Sequence, residues 1–302
     1  MKFICTDDWH LRNSTPKHRV DDFTQTQLEK VAWIFALSIQ HRAPILNAGD
    51  IFNSAKEPYG LLFDYIEDSI NSNIDICCIT GQHDMKYHNT KEFKDTPLGN
   101  LYINKHIRLA GAEPIRLANV DIYGCGWGEE IPAIQDDITG FNILLIHRMI
   151  AKKKLWPGHE FQHPDDLLTG TEFDLIVSGD NHKTFTSKYK GRMLINAGCI
   201  VRQKSDEMNR KPCVYLYDTD TRKAERIYIP IKPADEVFDL EGIEKAKERK
   251  EKLKMGELID AISVKGSKAP NFLKILNKVI KEADPHKRTK QYVDEFIKEA
   301  QA

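Results

Sequence analysis

The sequence predicts an α/β fold whose working side chains lie at the carboxyl ends of its strands, and three observations carry that expectation. Short apolar runs at residues 2–6, 44–47 and 74–80 alternate with helix-period stretches at 23–40 and 59–70, the order that builds a parallel sheet with right-handed crossovers. Each of these runs stops at a short polar turn, and in such folds ligand sites gather where strands end. Further on, the β-type runs 193–199, 214–217 and 226–231, the last two joined through Asp218-Thr219-Asp220, read as antiparallel strands completing a second sheet.

The composition sets the outer bounds. With 302 residues, 41% hydrophobic and 29% charged, the chain can bury a substantial core as one large domain with an appendage or as two domains. A formal net charge of -1 and a pI near 6.8 provide no global field for nucleic acid or a membrane, so any basic surface is local. The six cysteines, Cys5, Cys77, Cys78, Cys125, Cys199 and Cys213, sit mostly in apolar runs without paired C-x-x-C spacing. They read as buried reduced thiols rather than zinc ligands. Neither a signal segment nor an apolar run of membrane-spanning length is visible, which makes the cytoplasm the default expectation and a membrane role unexpected.

Taken in order, the first strand runs into Asp7-Asp8-Trp9-His10. The i, i+2 spacing of Asp8 and His10 would aim both side chains to one side of an extended chain, although an isolated D-x-H reads more readily as a surface turn than as a metal site. The helix predicted over 23–40 carries Leu28, Val31, Ile34, Phe35, Leu37 and Ile39 at helical recurrence. The strand after it ends in Gly49-Asp50, and the strand 74–80 ends in Gly81-Gln82-His83-Asp84. A polar loop, 85–96, and β-type runs near 107–109, 115–117 and 120–123 follow. Gly124, Gly126 and Gly128 surround Trp127, but no helix-forming run succeeds them, which excludes a nucleotide-binding fingerprint.

The strongest strand, 141–146, stops at His147. The loop 148–163 holds Lys152, Lys153, Lys154, Trp156, His159 and His163, a pattern that is either a solvated face or a contact for a nucleic-acid backbone. Strand 173–178 ends in Gly179-Asp180-Asn181-His182, repeating the acid–histidine spacing. Beyond Pro233 the character changes. A charged helical stretch at 241–254 and amphipathic stretches at 271–282 and 289–300 are expected, with fifteen basic against eleven acidic residues from Glu241 onward. These helices are a solvated cap or a docking element. The expected division is therefore 1–232 and 233–302.

Five strand ends thus present Asp8 and His10, Asp50, Gln82 and His83, His147, and Asp180 and His182. Oxygen and imidazole donors without thiolates suit Mn²⁺, Fe²⁺, Zn²⁺ or Mg²⁺. Two such ions about 3.5–4 Å apart would activate a water and stabilise an in-line displacement at phosphorus.

In order and spacing these residues resemble the D-x-H, G-D, G-N-H-D, H and G-H-x-H motifs of the calcineurin-like metallophosphoesterases, over roughly residues 1–230. The resemblance implies a two-sheet sandwich flanked by helices, followed here by a C-terminal helical segment. Gly49-Asp50-Ile51-Phe52 and the run 196–203 further resemble the G-D-L-F and P-G-S-x-x-R segments of SbcD-type DNA repair nucleases and their phage counterparts. That likeness implies a manganese-dependent DNA nuclease working with an SMC-like coiled-coil ATPase gripped by the C-terminal helices; a homodimer is a further expected assembly. Carried over by position, Asp8, His10 and His182 hold one metal, Asp50 bridges, Gln82, His147 and Asp180 hold the second, and His83 is the catalytic residue at the phosphate or leaving oxygen. Gln82 and Asp180 depart from the family's asparagine and histidine, and Asn53 stands where the nuclease group carries a histidine. Alternatives are a phosphoesterase for small molecules or phosphoproteins, and a non-catalytic DNA-end or ATPase-binding scaffold with a decayed second metal site.

Overall fold

The computed structural model describes residues 1–58, 61, 74–88, 90–135, 140–156, 158 and 160–250. The helical stretches expected at 59–70, 271–282 and 289–300 lie essentially outside these residues. Two six-stranded mixed sheets form the molecule's first compact unit, Met1–Phe238. In the first sheet β1 (Lys2–Thr6), β2 (Ile45–Asn47), β3 (Ile76–Cys78) and β4 (Arg108–Leu109) are parallel neighbours. The hairpin of β11 (Cys213–Asp218) and β12 (Lys223–Tyr228) adds to the other side of β1, with Phe3 opposite Tyr217. The second sheet runs β5 (Ile115–Leu117), β6 (Val120–Cys125), β7 (Phe141–His147), β8 (Leu175–Gly179), β10 (Arg192–Asn196) and β9 (Phe185–Tyr189). Its four central strands are parallel.

Side-chain alternation along the strands separates three apolar layers. Phe3 and Cys5 of β1, with Ile143 and Leu145 of β7, face the space between the sheets. Ile4 instead joins Val31, Ile34 and Phe35 of helix α1 (Phe23–His41) and Leu98 and Leu101 of α2 (Pro97–Ile103) on the outer face of the first sheet. Leu144 and Ile146 join Leu167 and Leu168 of α3 (Pro164–Gly170) on the outer face of the second. The expected two-sheet α/β sandwich flanked by helices is the observed architecture. The expected membership of the sheets differs in one respect: the 214–231 hairpin extends the first sheet, because its partner is β1 rather than the nearby β10.

The first unit ends six residues later than the expected boundary. A bridge between Arg19 and Phe238 and the Val20 amide donating to Val237 tie this stretch to the loop before α1. In the second unit residues 240–250 are helical, in line with the start of the stretch expected at 241–254. No helix among the described residues is long and apolar enough to cross a membrane.

Candidate metal centre

Parallel pairing aligns the carboxyl ends of β1, β2 and β3 in one sheet and of β7 and β8 in the other. The turns that follow bring their side chains together. Asp8, His10 and His182 each place a ligand atom within 4.8 Å of one another, as do His10, Asp50 and His83, and Asp8, Asp50 and His147. Convergence of Asp8 and His10 does not come from extended backbone, as their spacing suggested. Both are left-handed, with φ of 49° and 47°, and Asp50 (51°) and Asp180 (83°) share that conformation. Non-glycine residues held there carry local strain that the surrounding structure must overcome, a pattern concentrated at functional sites.

Asp50 is the hub. Its Oδ1 accepts the His83 backbone N–H at 2.9 Å, while its Oδ2 lies 3.4 Å from His147 Nε2, 3.7 Å from His10 Nε2 and 4.0 Å from His83 Nε2. His147 Nδ1 is 2.6 Å from the Ala48 carbonyl. A carbonyl only accepts, so the proton sits on Nδ1, the arrangement that orients a metal-ligating imidazole. Asp50 Oδ2, His147 Nε2 and Gln82 Oε1 are buried without a hydrogen-bond partner, and buried polar atoms left so call for a missing partner. Burial opposes a charge on His147, yet the Asp50 carboxylate outweighs it and holds the ring's pKa up to about 10. Burial likewise pushes Asp50 upward, but His147, His10 and His83 bring it down to about 2. Burial, against the pull of Asp50, holds His10 down to about 3, so its ring is neutral. An ionised carboxylate, a neutral imidazole and a site that attracts positive charge fit divalent cations.

Gln82 and Asp180 behave differently from the other expected ligands. Gln82 Nε2 donates to Asp180 Oδ1 at 3.0 Å, and no triad among the described residues includes Asp180. The Asp180 backbone N–H donates to both oxygens of Asp8 at 3.1–3.2 Å. These two side chains thus contact each other. His83 lies at the mouth, its side chain 44% exposed, with Nδ1 3.0 Å from the Asn53 carbonyl.

Several supporting residues were missed by sequence reasoning. Asp7 accepts the N–H groups of Ala197 and Gly198 at 2.8 and 3.0 Å, and burial pushes its pKa up to about 7. Asp84 accepts from Gly81 and Phe52, both at 3.0 Å, clamping the 81–84 turn against the 50–52 turn. Asn196 accepts from Ser178 Oγ and donates to the carbonyls of Asn181 and Lys183 on either side of His182. The signal for Asp84 lay in the Gly81–Asp84 motif; Asp7 was masked by its neighbour Asp8. At the rim, Asn181 Nδ2 donates to the Ile150 carbonyl at 2.7 Å, anchoring the loop that exposes Lys152, Lys153, Lys154 and Trp156. Trp127, partly exposed, is held by its N–H on the Thr80 carbonyl.

The class that fold and site define is a two-sheet α/β sandwich bearing an oxygen- and imidazole-lined cluster at its strand ends. No family model matches the chain, and no curated protein matches its sequence. Among solved structures, TT1561 of Thermus thermophilus is 12% identical over 76% of this chain and 99% of that one, with a TM-score of 0.50, which shows a shared fold. A protein described as a novel archaeal phosphodiesterase is 13% identical, covers 76% and 99% of the two chains and has a TM-score of 0.43. The 5'-nucleotidase precursor from Thermus thermophilus is 13% identical over 76% of this chain and 54% of that chain, at 0.42.

Proposed function

We propose that the protein is a metal-dependent phosphodiesterase that cuts DNA. The observation that carries this reading is Asp50 Oδ2, buried, without a hydrogen-bond partner and faced by the Nε2 atoms of three histidines. Two divalent ions, Mn²⁺ first among Mn²⁺, Fe²⁺, Zn²⁺ and Mg²⁺, would supply an activated water and stabilise charge at phosphorus when bound. Asp8, His10 and His182 would hold one, Asp50 both, and Gln82, His147 and Asp180 the other. His83 acts on the substrate. Its Nδ1–H is committed to the Asn53 carbonyl, so Nε2 accepts in the neutral ring and donates in the cation, the state that would protonate the leaving oxygen. The Lys152–Lys154 and Trp156 loop, rooted beside His182, suits a phosphate backbone and a stacked base.

The test is cleavage of labelled DNA and of bis(p-nitrophenyl) phosphate by the full chain, stripped with chelator and reloaded with Mn²⁺. Cleavage that Asp50→Ala reduces to background is expected; no cleavage with any of the four metals would overturn the reading. The Gln82–Asp180 hydrogen bond favours one rival, a scaffold with a decayed second site. Elemental analysis separates them, since two tightly bound ions per chain speak against decay. Association with an SMC-like coiled-coil ATPase is proposed on the family resemblance. Deleting 269–302 is expected to abolish that association and to leave basal phosphodiesterase activity intact; complex formation that survives the deletion would refute the docking role.

A further inference from the structure

A cavity of about 260 Å³ lies away from the metal-ligand residues, lined by Arg19, Lys30, Trp33, Arg202, Lys232 and Val237 among others, all within the first unit. Three of its cations are more than nine-tenths buried: Arg19, Lys30 and Arg202 are 6%, 8% and 4% exposed. Arg19 is neutralised by Asp21, with bonds of 2.7 and 2.6 Å to the two carboxylate oxygens. The other two are not. Lys30 Nζ donates to the Pro230 carbonyl at 2.8 Å, and Arg202 donates to the carbonyls of Met208 and Lys232 at 2.7 and 2.6 Å. Carbonyl oxygens satisfy hydrogen-bond geometry but carry no formal charge, and buried charges are ordinarily paired. Burial, and then the nearby Arg202 and Arg19, push the Lys30 ammonium down to about 8, so the cations crowd one another.

The charge surplus specifies the ligand. With Arg19 and Asp21 cancelling, Lys30, Arg202 and the exposed Lys232 are met at the cavity by one carboxylate, that of exposed Glu29. Two positive charges remain unbalanced. A carboxylate or a phosphodiester, each a single negative charge, would balance half of them, whereas a phosphomonoester, with its second pKa near 6, is close to a dianion at neutral pH. Trp33, Ile229 and Val237 supply an apolar wall to the same cavity. Its volume falls just below the roughly 300–1,000 Å³ of pockets for drug-sized molecules, so the ligand is compact. We propose that this cavity binds a mononucleotide-sized phosphomonoester, its phosphate among Lys30, Arg202 and Lys232 and its flat body against Trp33, Ile229 and Val237. The site shares none of its lining residues with the metal centre, and the proposal stands apart from the catalytic reading.

Isothermal titration of the full-length protein with thymidine 5'-monophosphate tests it, in chelator so that metal-held phosphate is eliminated. Saturable one-to-one binding is expected, weakened at least tenfold by Lys30→Met, severalfold by Lys232→Ser, and unaltered by Asp180→Asn at the metal centre. Thymidine and inorganic phosphate should each bind at least tenfold more weakly than the nucleotide. No saturable binding, or binding unchanged in both lysine variants, would overturn the proposal. Thymidine binding as tightly as its monophosphate would remove the phosphate contact, and inorganic phosphate binding as tightly would remove the apolar wall. Should Lys30→Met fail to fold, Lys232→Ser decides, since its side chain is exposed.

Discussion

At the scale of single residues, the candidate metal cluster depends on positions where little else fits. Gly49 has φ of +95°, and a Cβ there would lie 2.5 Å from His147 Nδ1. Gly49→Ala is therefore expected to lower stability by about 1–3 kcal/mol through backbone strain, and to weaken Mn²⁺ binding by displacing His147. Denaturant melts and a Mn²⁺ titration check both; an unchanged midpoint would show that the turn tolerates the methyl. Asp180→Asn separates charge from shape, because the amide oxygen can still accept from Gln82. Loss of one bound ion per chain is expected, with the melting temperature of the chelated protein unchanged. The ligand types were legible in the sequence as acids and histidines placed just past apolar runs. The reason they converge was not, since the left-handed φ at Asp8, His10 and Asp50 is a conformation that such residues adopt only in a minority of cases and that their spacing does not mark.

At the scale of elements, legibility followed the strength of the apolar pattern. The seven-residue β7, buried throughout, and the five-residue β1 are built on the apolar runs 143–146 and 3–5 and were readable. The strand β9, Phe-Thr-Ser-Lys-Tyr, is a half-exposed sheet edge whose polar composition hid it. The helices α2 and α3 were missed although each begins with proline after a residue that caps it, Thr96 accepting from Gly99 and His163 from Asp165. At seven residues they are too short to show a period. Pairing of β1 with β11 joins residues more than two hundred positions apart, a contact that no local pattern contains. Asn196 shows what such pairing positions: it ends β10 and holds the turn carrying His182. Asn196→Ala strands the Ser178 hydroxyl and two carbonyls, at roughly 1–3 kcal/mol for each group left unsatisfied in the interior. A lowered denaturation midpoint with weaker Mn²⁺ binding is expected, and a change in stability without any change in Mn²⁺ affinity would refute the positioning role.

At the scale of the whole molecule, the six cysteines and Lys30 make opposing demands on alkaline stability. All six thiols are buried and free. Burial raises each above its ordinary value of 9.0, to about 12 for Cys77 and Cys199 and about 11 for Cys125, and upward as well for Cys5, Cys78 and Cys213. Between pH 9 and about 11 the unfolded chain therefore releases protons that the native state retains, so stability present below pH 9 is lost as pH rises. Lys30 acts in the opposite sense. Its native pKa of about 8 lies below the 10.5 of the free group, so the folded protein sheds that proton first and gains stability between pH 8 and 10.5. Each proton changes the slope by about 1.4 kcal/mol per pH unit, and six thiols outweigh one amine. Since folded His147 also keeps its proton up to about pH 10 while the free ring loses it from 6.5, stability is expected to decline gently by pH 8 and to fall steeply above about pH 9, measured by urea melts under reducing conditions with chelator. Lys30→Met should make the decline between about pH 8 and 10.5 steeper and leave the fall above it in place. A plateau extending to about pH 11 would show that the thiols are not shielded as their burial requires.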